Sequence, residues 1–117
     1  MRYKVNITDI ALADAEDYVR LIRKQSNDDQ AAVDWWNGLL DAINSLESLP
    51  NRCPRIPEQK HFASKLHQLL YASHRIIFQI EPDLITVLRI YHGARKPLRS
   101  IQPRKSRTRS KGLFKPS

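Results

Sequence analysis

Four histidines, His61, His67, His74 and His92, and one cysteine, Cys53, are the side chains of this sequence best suited to metal binding, proton transfer or nucleophilic attack. A zinc site draws three or four such ligands from characteristic short spacings. His61, His67 and His74 share no such spacing with Cys53, so no metal is expected. Cys53 lies between Arg52 and Pro54 without a motif that would pair it with a histidine as a nucleophile, and reads as a small packed side chain. A single cysteine makes no internal disulfide. Three glycines leave no GxGxxG and no Walker A sequence, which excludes a glycine-rich nucleotide loop. No cofactor is expected.

The other chemistry on offer is electrostatic. The 117 residues carry 20 Lys and Arg against 12 Asp and Glu, a net charge of +8. The excess is local. Residues 93–117 hold nine bases and no acid, whereas Asp9 to Glu47 holds nine acids and three bases. A basic tail of this kind is a footprint for polyanions such as rRNA or DNA, or else a solvated extension with no fixed role. The body is close to neutral and its first half is acidic.

These groups must be positioned by a fold, and the hydrophobic pattern supplies one. Tyr3 to Ile7 alternates as a half-buried strand does. Thr8 or Asp9 can cap a helix whose apolar stripe is Ala11, Ala15, Tyr18 and Ile22, with Asp14, Glu16 and Asp17 pointing elsewhere. Asn27 or Asp28 can cap a second helix, running to about Leu49, with Ala32, Trp36, Leu39, Ile43 and Leu46 on its stripe. Trp36 reads as core and Trp35 as core edge or an interface anchor. Pro50 stops that helix. Its short link to the first implies an antiparallel helical hairpin. Pro50 to Glu58 is an irregular connection. Leu66–Tyr71, His74–Ile80 and Leu84–Tyr91 read as three strands of an antiparallel meander, with turns at Ala72-Ser73 and Glu81-Pro82-Asp83. The expected class is α+β: a helical hairpin on one face of an antiparallel sheet, followed by a basic tail. One domain over residues 1–101 and a flexible extension over 102–117 are expected. No apolar run is long enough to span a membrane and the N-terminus lacks a signal-peptide core, so a cytoplasmic protein is expected.

In this order of elements the chain resembles the RelE/ParE superfamily of toxins from type II toxin–antitoxin modules, over about residues 3–98. The resemblance rests on Cys53-Pro54-Arg55-Ile56-Pro57-Glu58, Leu69-Leu70-Tyr71, His74-Arg75-Ile76-Ile77-Phe78-Gln79-Ile80, and Val87-Leu88-Arg89-Ile90-Tyr91-His92-Gly93-Ala94-Arg95. The last two segments look like the plasmid-stabilisation, ParE-like branch. The resemblance implies a growth-arresting toxin neutralised by a cognate antitoxin, with which it can form a hetero-oligomer. Relatives divide between poisoning DNA gyrase and cleaving mRNA on the ribosome. The gyrase reading is slightly favoured; the nuclease reading and a non-toxic antitoxin-binding homologue are the alternatives.

The resemblance also implies site residues. A metal-independent ribonuclease needs a base for the 2′-hydroxyl, an acid for the leaving oxygen and a cation for the crowded phosphate. Arg75 stands at the family's strand arginine, Arg95 where a second phosphate-binding arginine is found, and His92 at the strand end as acid or base. These three would be catalytic in a nuclease. Lys65, His67, Arg75, Arg89, Arg95, Lys96 and Arg99 are the candidates for contact with a nucleic acid or target. Two plainer readings stand beside these. Arg75 can pair with a carboxylate such as Glu58, and His92 can be a hydrogen-bonded structural histidine. Cleaving relatives often carry a tyrosine just after the last strand. Here Gly93 and Ile101 occupy the corresponding positions, and Tyr91 falls on the strand face opposite His92.

Overall fold

In the computed structural model, which describes residues 2–48 and 50–92, a helical hairpin lies on a four-stranded sheet. Strand β1 (Lys4–Ile7) leads into α1 (Asp9–Ser26) and α2 (Asp29–Asn44). The meander follows as β2 (His67–Tyr71), β3 (His74–Ile80) and β4 (Leu84–His92). Residues 93–117, including Arg95, Lys96 and Arg99 and the expected boundary at 101/102, lie outside the described residues.

Local chemistry sets the helix ends. Thr8 caps α1 by accepting the Ala11 N–H at 3.1 Å, and Asp28 caps α2 by accepting from Gln30 and Ala31. Asn27 takes the left-handed conformation, φ 55°, that closes α1, so two residues turn the chain between the helices. The second helix ends earlier than its apolar stripe suggests. After Asn44 it tightens into a 3-10 turn, Ser45–Glu47, that still buries Leu46.

The sheet order is β1-β4-β3-β2. Strands β2, β3 and β4 form the expected antiparallel meander, but β1 pairs with β4 in parallel, Lys4 opposite Leu84 through Ile7 opposite Val87. The sheet is therefore mixed rather than antiparallel. Alternation marks a strand and its buried face but carries no sign of direction, which is why the sequence did not show this. Beyond Val87 the outer edge of β4 has no strand beside it among the described residues. Helix α1 takes over there: the Thr8 N–H and hydroxyl both donate to the Val87 carbonyl, and the Asp14 carboxylate accepts the Ile90 N–H at 3.0 Å.

One core fills the space between helices and sheet, with Ala11, Ala15, Leu39, Ile43, Phe78, Ile85 and Val87 among its buried members. The opposite sheet face is covered too. The connection between α2 and β2 crosses it, packing Ile56, Phe62 and Leu66 onto Ile77, Leu88 and Tyr91. Trp36, expected in the core, is only half-buried, and Trp35 makes the ring contacts, to Tyr18, Tyr71 and His74. Tyr71 reaches under α2 and its hydroxyl donates to the Trp35 carbonyl at 2.9 Å.

That reach explains Gly38. A β-carbon there would overlap the Tyr71 hydroxyl and stand 3.0 Å from Cζ. Gly38→Ala gains helix propensity of about 1 kcal/mol but forces the anchored ring aside. A net loss of about 1–2 kcal/mol is expected in urea unfolding, in line with overpacking. In a Tyr71→Leu background the same substitution should be neutral or stabilising; equal losses in both backgrounds would show that the ring is not the obstacle.

Candidate functional site

Strand alternation divides the candidate residues between two faces. Arg75 pairs in register with Tyr91, and His74 with His92, so Arg75 and His92 project from opposite sides of the sheet. On the helix side His74 is buried, 3% exposed, and its ring meets Tyr18 edge-on at 4.3 Å and His92 at 4.8 Å. His92 also lies 5.8 Å from the Tyr18 ring. Together with Trp35 these rings form an aromatic cluster under the helical hairpin. No single-residue pattern marks it, because its members come from four elements.

On the other side Arg75 is held as a fork. Its guanidinium donates to both Glu58 carboxylate oxygens, at 2.9 and 2.8 Å, and to Gln68 Oε1 at 3.1 Å, while lying over the Tyr91 ring. Both side chains are close to nine-tenths buried. Arg89 is occupied in the same way. Asp14 accepts from its Nε and Nη2 at 2.7 and 2.9 Å. The Arg89 guanidinium also approaches the ring of Tyr91. Asp14 was expected to point away from the packed face of α1; it turns instead to the free edge of β4, where a buried cation and an uncovered backbone N–H both need an acceptor.

His67 is tied down as well. Its Nδ1 lies 2.9 Å from the Cys53 carbonyl, and its ring stacks on Phe78. Lys65 is exposed just before β2. Among the described residues, then, the structure gathers Arg75 with Glu58, Gln68 and Tyr91, and Arg89 with Asp14, but does not bring Arg75 to His92. Asp14, Gln68 and the Tyr18–Trp35 pair are the participants that sequence reasoning missed. A cleft of about 80 Å³ opens between α1 and the end of β4, lined by Asp14, Tyr18, Arg89 and His92 among others. It has room for a few waters and falls well short of ordinary ligand pockets. Among the described residues no group of three or more His, Cys, Asp or Glu converges as metal ligands would, and no helix is long and apolar enough to cross a membrane.

A family model described as the ParE toxin of the type II toxin–antitoxin system, parDE, matches residues 5–97. The chain belongs to the ParE toxin family. The match takes in both helices, β2 to β4 and all of β1 but Lys4. A solved structure of the chromosomal ParDE toxin–antitoxin system from P. aeruginosa shares the fold of this ParE-family chain, with a TM-score of 0.65 and 15% identity, covering 78% of this chain and 96% of that one. A comparison with curated proteins finds no match.

Two titrating groups of the ParE-family chain are displaced by their surroundings. Burial pushes the Cys53 thiol above its ordinary value of 9.0, against an opposing pull from the Arg52 guanidinium. Burial, and then the Asp41 charge, pushes the Tyr71 phenol above 10.0. Both groups hold their protons more tightly folded than unfolded. Their contribution to stability is therefore complete below about pH 9 and is lost as the pH climbs through the folded-state values. Melting temperature should fall as the pH rises above about 9, and Cys53→Ala and Tyr71→Phe should each flatten that fall. A profile as steep in the double variant as in the wild type would assign the alkaline limb to other groups.

Proposed function

We propose that this chain is a growth-arresting toxin that acts in the cytoplasm by inhibiting DNA gyrase and is neutralised by a cognate antitoxin. Membership of the ParE family over residues 5–97 carries the reading. The disposition of the strand cations supports gyrase over mRNA as the target. A metal-independent nuclease needs a cation free to meet the phosphate beside a proton-transfer group. Arg75 is committed to Glu58, Arg89 to Asp14, and His92 stands across the sheet from Arg75. The antitoxin has apolar surface to cover on the helical hairpin, where Leu12, Leu21 and Val33 are exposed. A segment that folds into a helix on binding suits such a surface.

Three measurements test the proposal. Induction should arrest growth, and co-expression of a cognate antitoxin should relieve the arrest. Purified protein should inhibit gyrase supercoiling. Ribosome-bound mRNA from arrested cells should remain uncut. Cleaved mRNA with unaffected supercoiling would replace gyrase by the ribosome as target, and binding to antitoxin without arrest would mark a non-toxic homologue.

A further inference from the structure

We propose that the connection crossing the outer sheet face, residues 52–65, is a binding surface for the phosphodiester backbone of nucleic acid, with Arg52, Arg55, Lys60 and Lys65 as the phosphate ligands and His61 among them. All five side chains are exposed. The segment contains one acid, Glu58, and that carboxylate is turned inward and bound by Arg75 at 2.8 Å, so the exposed charges of the segment are all positive.

The backbone that carries these cations is fixed in place. Gln59 spans the loop from within: its Oε1 accepts from Arg55 Nε and from the Leu66 N–H, and its Nε2 donates to the Phe62 and Ser64 carbonyls. The ends are stitched to β2 and to each other by Gln68 N–H to the Pro54 carbonyl and Ile56 N–H to the Leu66 carbonyl. Cations presented on an ordered loop lose less freedom when they meet a ligand than cations on a flexible one.

The composition of the surface selects the ligand. Ile56, Phe62 and Leu66 are packed inward, so the segment exposes no large apolar side chain. A protein partner would be anchored by buried aromatic or aliphatic groups at the centre of its footprint. A surface whose exposed charges are all positive instead matches contacts to phosphates, which position a protein on a helix without reading its sequence. The fold also separates the charges. Nine of the twelve acids lie between Asp9 and Glu47, which includes the helical hairpin on the other side of the sheet. The outer face therefore meets a polyanion with little opposing charge. The proposal uses none of the basic residues after Gly93 and does not depend on the gyrase reading.

The test uses the full chain and fluorescence anisotropy with a 20-base-pair DNA duplex and a matched RNA duplex over a range of salt. The variant R52Q/R55Q/K60Q/K65Q should bind at least about 10-fold more weakly at low salt. Its slope of log K against log salt should be shallower by about 3–4 on DNA, near 0.9 per lost phosphate contact. A control with the same loss of charge elsewhere, K4Q/R20Q/R23Q/K24Q, should stay within about threefold of wild type. The double variant K60E/K65E, which removes none of the bonds described in the loop, should also weaken binding and keep the wild-type melting temperature. Equal losses in the loop and control variants would reduce the effect to net charge. Undiminished binding by the loop variants, or no binding of either duplex by the wild type, would also overturn the proposal. The relative affinities of the two duplexes then show whether B-form or A-form phosphate spacing fits the surface better.

Discussion

Glu58→Ala is expected to destabilise the protein by about 3–5 kcal/mol, the cost of leaving one partner of a buried ion pair without the other. Both side chains are close to nine-tenths buried, so solvent offers the Arg75 guanidinium little relief once the carboxylate is gone. Gln68 supplies only a neutral acceptor, at 3.1 Å, and Tyr91 only its ring face. The double variant Glu58→Leu/Arg75→Met should recover most of the loss, because two apolar groups of similar volume leave no charge stranded. Urea unfolding of wild type, the single variant and the double variant measures this directly. A Glu58→Ala loss below about 1 kcal/mol, typical of a surface pair, would mean that Arg75 reaches water and is available to a ligand after all. The same series is therefore informative about function: a double variant that folds and still arrests growth excludes Arg75 as the phosphate cation of a nuclease.

Asp14→Ala should cost about 3 kcal/mol, since it deprives two groups at once. Arg89 loses its bidentate partner, and the Ile90 N–H loses its acceptor at the edge of β4. Amide hydrogen exchange separates the two effects. In the alanine variant the Ile90 N–H should exchange far faster than its neighbours on β3. Asp14→Asn keeps an oxygen for that N–H and should hold much of the protection while losing the charge of the pair. If exchange at Ile90 stays slow in the alanine variant, another group must cover the strand edge.

Much of the fold was legible because its signals are local. Thr8 and Asp28 are capping residues standing just before apolar periodicity, and the three meander strands are bounded by turn residues. What stayed hidden depends on residues far apart in sequence. The parallel pairing of β1 with β4 joins positions 80 residues apart, and no pattern within either strand encodes its direction. Asp14 looked like a solvated helix residue because helical periodicity reports one partner surface, whereas α1 meets both the core and the β4 edge. The Glu58–Arg75 pair was an explicit alternative, since a carboxylate in the connection and an arginine on the strand can meet. The charge it conceals, and hence the cationic outer surface, followed only from the loop crossing the sheet. Arg95, Lys96 and Arg99 lie outside the described residues.

The position of β4 between β1 and β3 also sets a schedule for synthesis. At about 5–20 residues per second, β1 emerges roughly 4–16 seconds before the strand that receives it. During that interval the helical hairpin, built from neighbouring residues, can assemble, while the Thr8 hydroxyl and the Asp14 carboxylate wait for a β4 edge that does not yet exist. A nascent chain interrupted anywhere before Val87 has no complete partner for its first strand. Any activity that needs the folded sheet should therefore appear at a sharp threshold in chain length, once β4 is complete at His92, rather than fade gradually as the chain is shortened.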